Sequence, residues 1–300
     1  MNNTRDISEL STSQEFIARH IGPSEKEINE MLKALKLSSL EELVEKTVPK
    51  NILNKAPLNI SPSLSENDAL KKLKTIMSKN KVFKHYLGMG YYDTITPNVI
   101  LRNVLENPSW YTQYTPYQAE ISQGRLEVLL NFQTITSELT GLPVSNASLL
   151  DEATACAEAM TFAQALAPGK DRDTFFVDQN CHPQNIELIQ TRAKPLNINV
   201  VIGDFKTFNF SEKVFGAIVQ YPTTYGNIED YKSFAMKAKE HKALVTAACD
   251  LMALTLITPP GEWGADVAVG STQRFGVPMG YGGPHAAFFA TKDEYKRRIP

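Results

Sequence analysis

The second half of the chain alternates between short apolar runs and amphipathic segments, and this alternation restricts the possible folds more than any other feature. After residue 150 the sequence predicts helices over Glu152–Leu166, Pro183–Ala193 and Glu229–His241, and strands over Thr174–Val177, Asn199–Ile202, Gly216–Gln220, Leu244–Cys249, Asp266–Val269 and Ala286–Ala290. Strands that alternate with helices favour a mostly parallel sheet with helices on both faces. The predicted fold class is therefore α/β.

The first half follows a different pattern. Residues 13–55 are predicted to be helical, with Ile28, Met31, Leu32 and Leu35 on one face, and a second helical pattern covers residues 68–80. Residues 86–124 mix aromatic, glycine and proline residues and predict irregular backbone, before a helix over Arg125–Thr140. We therefore predict a helical N-terminal arm over residues 1–85 and one large domain over residues 86–300. The last ten residues start a helix that nothing ends, so we expect a further domain to follow.

Charge and composition exclude several classes of protein. The 31 basic and 33 acidic residues give a net charge of −2, without the basic excess of nucleic-acid or membrane-surface binding proteins. No apolar run reaches the roughly 18 residues of a membrane span. The polar N-terminus lacks the features of a signal or transit peptide, which favours the bacterial cytoplasm over the mitochondrial matrix. Three widely spaced cysteines, Cys156, Cys181 and Cys249, are predicted to be free thiols.

The segment Ser271–His285 is the first indication of chemistry. It follows a predicted strand, and residues just past the carboxyl end of a strand face the ligand crevice in α/β enzymes. An enzyme that uses pyridoxal phosphate (PLP) would hold its Schiff-base lysine in such a place. The residues here are Thr272, Gln273 and Arg274, none of which can form that bond. The segment is interpreted as an active-site loop that lacks its reactive group.

Two further residues have positions typical of such a site. Asp250 ends a predicted strand and precedes Gln273 by a spacing at which a carboxylate would pair with the pyridinium nitrogen of PLP; alternatively, it caps a turn. His182 also follows a strand, and it is either a ring-stacking side chain or a structural histidine. A metal site built from Cys181, His182 and His285 is not expected.

The start of the helix at residue 152 argues against cofactor binding in this chain's own cleft. A bound phosphate favours a helix N-terminus with small residues. Asp151 and Glu152 stand there instead; they suit the helix end electrostatically but would repel a phosphate. Gly280–His285 is either a tight turn or a loop that offers N–H groups to an anion, which a neighbouring chain could hold. The polar and aromatic segment Tyr114–Gly124 is interpreted as facing a ligand or an interface.

Several segments together closely resemble the N-terminal half of the glycine cleavage system P-protein family. They are Phe16-Ile-Ala-Arg-His-Ile-Gly-Pro23, Gly88-Met-Gly-Tyr-Tyr-Asp-Thr94, Thr115-Pro-Tyr-Gln-Ala-Glu-Ile-Ser-Gln-Gly-Arg125, Asn146-Ala-Ser-Leu-Leu-Asp-Glu152, Cys181-His-Pro-Gln184, Gln273-Arg-Phe-Gly-Val-Pro278 and Gly282-Gly-Pro-His285. The resemblance covers almost the whole chain. It implies the large domain of PLP-dependent fold type I, like that of aspartate aminotransferase, and two homologous halves that pair, with the PLP lysine in the C-terminal half.

The activity implied by the resemblance is that of glycine dehydrogenase (decarboxylating), an oxidoreductase. Glycine would lose CO2 on PLP, and the aminomethyl carbon would pass to the lipoyl group of H-protein. In this chain Gln273 would stand at the position of the PLP lysine. Asp250 would correspond to the aspartate that pairs with the pyridine nitrogen, and His182 to the histidine that stacks on the PLP ring, so all three would be vestigial. The lysine-bearing half, fused or separate, would be the partner, in a homodimer or heterotetramer.

The resemblance also implies which residues of this chain help the partner half. Tyr91, Tyr92, Thr115, Tyr117, Gln118 and Glu120 would wall its site, and Gly282, Gly283, Pro284 and His285 would reach its PLP phosphate. Two other functions stay open from the residues alone. One is a stand-alone scaffold or regulatory module without chemistry. The other is a self-sufficient PLP enzyme, which is disfavoured because no lysine lies between Lys242 and Lys292.

Overall fold

The structure of the protein is a computed structural model that describes residues 16, 20–84, 86–111, 115–169, 171–283 and 285–300. The chain divides into two compact units, residues 1–84 and residues 85–300. Within the described residues, no helix has both the length and the apolar character needed to cross a bilayer.

Over residues 21–84, the first unit forms the helices α1 (Glu25–Leu35), α2 (Leu40–Thr47) and α3 (Glu66–Met77). Serines cap all three: the side chains of Ser24, Ser39 and Ser65 each accept a backbone N–H of the first turn. The predicted helical stretch over residues 13–55 is broken between α1 and α2, and its second helix already ends at Thr47. Residues 13–15 and 17–19 of this prediction lie outside the described residues. The break occurs because Lys36 adopts a left-handed conformation (φ 56°) that ends α1, and Ser39 starts a new helix.

The second unit is built on a seven-stranded sheet with the order β1-β7-β6-β5-β4-β2-β3. The strands are β1 (Val144–Ser145), β2 (Thr174–Asp178), β3 (Asn199–Gly203), β4 (Val214–Tyr221), β5 (Leu244–Cys249), β6 (Val267–Ser271) and β7 (Ala287–Thr291). Strands β3, β2, β4, β5 and β6 are mutually parallel. β7 pairs antiparallel with β6, and β1 pairs antiparallel with β7. The predicted mostly parallel sheet is confirmed, although the two-residue strand β1 was not predicted.

Helices cover both faces of this sheet. They are α4 (Gln123–Thr140), α5 (Glu152–Leu166), α6 (Pro183–Ala193), α7 (Lys232–Glu240) and the short α8 (Pro260–Trp263). Because successive strand residues point to opposite faces, Phe175 joins the core that contains Met160 of α5, whereas Phe176 joins the core that contains Phe234 of α7. The predicted α/β class with helices on both faces is confirmed.

Some connections differ from the predicted ones. Residues 98–105 form a short helical segment within the stretch predicted to be irregular. The helix predicted to start after residue 291 is only a 3-10 turn over Asp293–Tyr295. The three cysteines are free and buried, and burial raises the pKa of each thiol.

The fold brings several loops to one edge of the sheet. The parallel strands β2, β4, β5 and β6 end there, so the residues that follow them lie close together. The N-terminus of α5 is at the same edge, since Glu152 contacts a side chain of β4. This edge carries the candidate site.

Asp178, the last residue of β2, is fully buried beside this edge. Its carboxylate accepts hydrogen bonds from the backbone and side-chain N–H groups of Asn180, both at 3.2 Å, and from the Tyr231 hydroxyl at 3.4 Å. Burial outweighs these bonds and raises the pKa of Asp178 above its ordinary value. Keeping the Asp178 carboxyl ionised at neutral pH therefore lowers the free energy of unfolding of the protein.

We expect this cost to appear in a comparison with Asp178→Asn. A carboxyl whose pKa is raised by folding contributes stability that is fully present below its unfolded pKa and is lost as the pH rises through the folded pKa. Lowering the pH from about 7 to about 4 should therefore stabilise the natural protein relative to Asp178→Asn. Urea unfolding of both proteins across this range is the measurement. A difference in unfolding free energy that does not change with pH would contradict the prediction.

Candidate active-site cleft

A small cleft opens where strands β4, β5 and β6 end. Its lining includes Tyr92, Glu152, His182, Asp250, Gln273 and Arg274. The structure thus brings together the three predicted vestigial residues, Asp250, His182 and Gln273, although they come from three different loops. Tyr92, which was predicted to face a partner, also lines this chain's own cleft.

Asp250 is held in a two-point ion pair with Arg274. The Arg274 Nε lies 3.0 Å from Asp250 Oδ1 and 3.2 Å from Oδ2, and Arg274 Nη2 lies 2.8 Å from Oδ2. Asp250 Oδ1 also accepts the backbone N–H of Met252 at 3.0 Å. The carboxylate therefore does cap a turn, and its remaining acceptor positions are used by Arg274, for which the sequence indicated no role.

Tyr92 covers one face of this guanidinium, whose N–H edge is bound to Asp250. The guanidinium carbon of Arg274 lies 3.5 Å from the centroid of the Tyr92 ring, within the range of a cation–π contact. Burial, together with the nearby Asp250 charge, raises the pKa of Tyr92, so its hydroxyl stays protonated. The Tyr92 backbone N–H donates to Gln273 Oε1 at 3.5 Å. The guanidinium is thus enclosed between a carboxylate and an aromatic ring.

Gln273 is the residue that was predicted to stand in place of a Schiff-base lysine. Its side chain is almost fully buried, and its Nε2 has no hydrogen-bond partner in the described part of the chain. The amide can donate a hydrogen bond, but it offers no amine for a covalent bond to a cofactor. The structure therefore leaves this position polar and chemically inert.

Glu152 connects the cleft to a buried polar network. Its Oε1 accepts from Asn185 Nδ2 at 2.8 Å and from Gln220 Nε2 at 3.1 Å, and lies 4.0 Å from His182 Nε2. His182 Nδ1 lies 2.9 Å from the Thr224 hydroxyl. Burial lowers the pKa of His182, while the charges of Glu152 and Asp250 act in the opposite direction. Asn185 and Gln220 were not singled out in the sequence because amides inside regular elements carry no distinguishing motif.

The N-terminus of α5 is satisfied by its own side chains. Asp151 is the N-cap and accepts the backbone N–H of Thr154 at 3.4 Å, in agreement with its predicted suitability for this helix end. Glu152 follows in the first turn, where its charge suits the helix dipole. A phosphate at this helix end would meet two carboxylates.

A second, more open pocket of about 250 Å³ adjoins the cleft. Tyr91, Gln184 and His285 line it together with the N-terminus of α5. The rings of Tyr91 and His285 meet edge to face with centroids 5.9 Å apart, and His285 Nε2 lies 2.7 Å from the Gly282 carbonyl oxygen. Gly282 has a φ of 100°, a left-handed value that favours glycine there. Of the predicted loop Gly282–His285, Pro284 lies outside the described residues, and Gly283 is extended.

The predicted residues Thr115, Tyr117, Gln118 and Glu120 are placed elsewhere. All four are exposed, and none of them is among the described residues that line the cleft or the open pocket. The structure therefore does not bring them to this chain's own site, and their predicted role toward a partner stays a prediction.

PLP does not fit the cleft of this chain. The free volume of the cleft is about 20 Å³, room for about one water molecule. The carboxylate that would meet the pyridinium is bound to Arg274, the helix end that would hold the phosphate carries two carboxylates, and residue 273 has no amine. The cleft is thus filled by side chains of this chain, among them Arg274. Within the described residues, no group of three or more potential ligands could hold a metal ion.

Comparisons with known proteins place the chain in a family. The family model described as "Glycine cleavage system P-protein" matches residues 18–300. The chain is 59% identical over 95% of its length to glycine dehydrogenase (decarboxylating) of Nostoc punctiforme, and 58% identical over 99% to that of Synechocystis. A mitochondrial glycine dehydrogenase (decarboxylating) of Dictyostelium discoideum is also 59% identical. The chain spans 29% to 30% of the length of these relatives.

A solved structure agrees with this placement. The crystal structure of a glycine decarboxylase (P-protein) of the glycine cleavage system, in inhibitor-bound form, superposes with a TM-score of 0.85 at 34% sequence identity. The match covers 94% of this chain and 64% of that one. Both the predicted fold class and the predicted resemblance are confirmed by these findings.

Proposed function

Because the chain belongs to the glycine cleavage system P-protein family, we propose that it is the part of a glycine decarboxylase that lacks the PLP-binding lysine. Its partner is the lysine-bearing half, on the same polypeptide or on a separate subunit. That half binds PLP, which supplies the electron sink needed for the loss of CO2 from glycine. The aminomethyl group then passes to the lipoyl group of H-protein.

The observation that carries this proposal is the contrast between the two adjoining pockets. The inner cleft is closed by Arg274 and has no amine at residue 273, so it supports no covalent chemistry of its own. The outer pocket is open and is bordered by Tyr91 and His285. This arrangement favours a chain that contributes side chains to the active site of a neighbouring half and has no active site of its own.

Exposed apolar side chains on the second unit support the proposal that this chain binds a large protein partner. Several side chains between residues 95 and 135 are exposed although they are apolar; they include Ile95 (91% exposed), Ile121 (75%), Val99, Val128 and Leu130. Large exposed apolar surfaces on soluble domains are typical of protein interfaces. The lysine-bearing half is the proposed occupant, and the exposed residues Thr115, Tyr117, Gln118 and Glu120 lie in the same stretch of chain.

The geometry supports a positioning role for His285. Its Nε2 lies 2.7 Å from a carbonyl oxygen, which can only accept, so Nε2 carries a hydrogen. The edge of Tyr91 fixes the orientation of this ring. We propose that His285 and the Gly282 backbone border the partner's phosphate and help to exclude water from the bound glycine.

Replacing His285 by alanine tests this role. We expect His285→Ala to lower glycine decarboxylation about 10-fold or more in the assembled protein, because misplaced contacts near reacting groups cost about that much. Release of CO2 from carboxyl-labelled glycine with lipoylated H-protein is the measurement. His241→Ala is the matched control, because His241 lies after α7 and lines neither pocket. Equal turnover in the two variants would remove His285 from the proposed site.

The alternative function is a scaffold or regulatory module without a part in the chemistry. Assaying the lysine-bearing half with and without this chain separates the two functions. The proposed function predicts that glycine decarboxylation requires both, whereas a scaffold predicts that the lysine-bearing half turns over alone. Localisation in a bacterial cytoplasm stays a prediction.

A further inference from the structure

The enclosed guanidinium of Arg274 explains why the inner cleft is closed. Arg274 and Asp250 are each about four-fifths buried, with side-chain exposures of 21% and 19%. Bidentate arginine–carboxylate pairs are among the strongest and most directional ion pairs in proteins. The Tyr92 ring adds a cation–π contact with the guanidinium, whose carbon lies 3.5 Å from the ring centroid. Arg274 thus has one planar face on an aromatic ring and its edge on a carboxylate.

A protonated pyridine ring would need these same two partners. It is also a planar cation, and it would present an N–H to the Asp250 carboxylate and a flat face to a stacking side chain. The carboxylate cannot serve both, because its two oxygens already accept from Arg274 and from the Met252 backbone N–H. Arg274 is attached one residue after Gln273, so its guanidinium is always present at high local concentration.

We propose that Arg274 is an internal plug: its guanidinium occupies a binding place for a planar cation that the fold still retains. The place consists of the Asp250 carboxylate, the Tyr92 ring and the buried surface between them. It follows that a variant without the guanidinium will bind a free guanidinium ion there, although the natural protein will not. This inference concerns only the inner cleft, and it holds or fails independently of the proposed function.

The test uses Arg274→Met in the intact protein. Methionine keeps the apolar stem and removes the planar charged group, which leaves the Asp250 carboxylate without its partner. We expect millimolar guanidinium chloride to raise the thermal midpoint of Arg274→Met by about 2–4 °C. The natural protein should show no rise, and tetramethylammonium chloride at equal concentration, a spherical cation, should have no such effect on either protein.

Two further variants make the result specific. Arg274→Met combined with Asp250→Asn should lose the response to guanidinium, because the carboxylate is gone. Arg274→Met combined with Tyr92→Leu should respond more weakly, because the stacking ring is gone. An equal response of the natural protein and Arg274→Met to guanidinium, or a response that survives Asp250→Asn, would overturn the proposal.

If Arg274→Met does not fold, Arg274→Lys provides a second route. Lysine keeps the charge but not the planar fork of donors. If the plug acts through its shape, Arg274→Lys should be less stable than the natural protein at both low and high salt. If Arg274→Lys is as stable as the natural protein at low and high salt, the side chain is an ordinary ion-pair partner and the proposal fails.

Discussion

Gly270→Ala is expected to destabilise the second unit by about 3 kcal/mol, at the upper end of what an overpacked core residue costs. A Cβ at residue 270 would lie 2.1 Å from the Cys249 carbonyl oxygen and 2.8 Å from Phe288 Cε1. The first of these atoms is backbone of the adjacent strand β5, which cannot rotate away. Relief therefore requires β5 and β6 to separate in the centre of the sheet.

Gly203→Ala is the matched control for this prediction. Gly203 also lies in a strand, β3, but a Cβ there would meet only Phe176 Cε2, at 3.6 Å, which is ordinary contact. We expect its unfolding free energy to change by less than about 1 kcal/mol. Urea unfolding of the two variants beside the natural protein gives the comparison. Similar stabilities for Gly270→Ala and Gly203→Ala would show that β5 and β6 tolerate a wider spacing.

Glu152→Ala is expected to cost about 2–4 kcal/mol, because it leaves buried donors without their acceptor. The Asn185 and Gln220 amides both donate to Glu152 Oε1, and both residues are almost fully buried. The substitution also removes a charge that raises the pKa of His182, so that pKa should fall further below its ordinary value. Urea unfolding measures the first effect, and an NMR titration of the His182 ring measures the second.

Two variants separate the causes of this loss. Asp151→Ala removes only the N-cap of the same helix and should cost about 1 kcal/mol. Glu152→Gln keeps an acceptor oxygen and removes the charge, so it should retain most of the stability while the pKa of His182 still falls. Equal losses from Asp151→Ala and Glu152→Ala would mean that the buried network contributes nothing beyond helix capping.

The regular elements could be predicted because periodicity reports burial directly. The apolar runs of β2, β4 and β5 and the boundaries of α5 and α6 follow from the pattern with errors of two residues or fewer. The break between α1 and α2 was missed because the left-handed residue that ends α1 is Lys36. A left-handed helix end is usually marked in the sequence by glycine or asparagine. Capping serines such as Ser39 carry the better signal for that boundary.

The position of the cleft could also be predicted, but its content could not. Residues after parallel strands meet at one edge, so Asp250, His182 and Gln273 were expected to converge. The Arg274–Asp250 pair depends in addition on β5 and β6 being neighbours, which the sequence does not state. Whether Tyr92 covers Arg274 depends on how the glycine-rich segment at Gly88 and Gly90 turns, and no periodicity describes such a loop.

One connection, from Ser271 at the end of β6 to Ala287 at the start of β7, carries both Arg274 and His285. Its two ends are fixed in adjacent antiparallel strands, so it behaves as a single hairpin. Thr94 and Thr96 donate hydrogen bonds to its backbone at Val277 and Gly276, which couples it to the segment that bears Tyr91. A substitution in the inner cleft is therefore expected to displace the residues that border the outer pocket, because both sets of residues are held by this one connection.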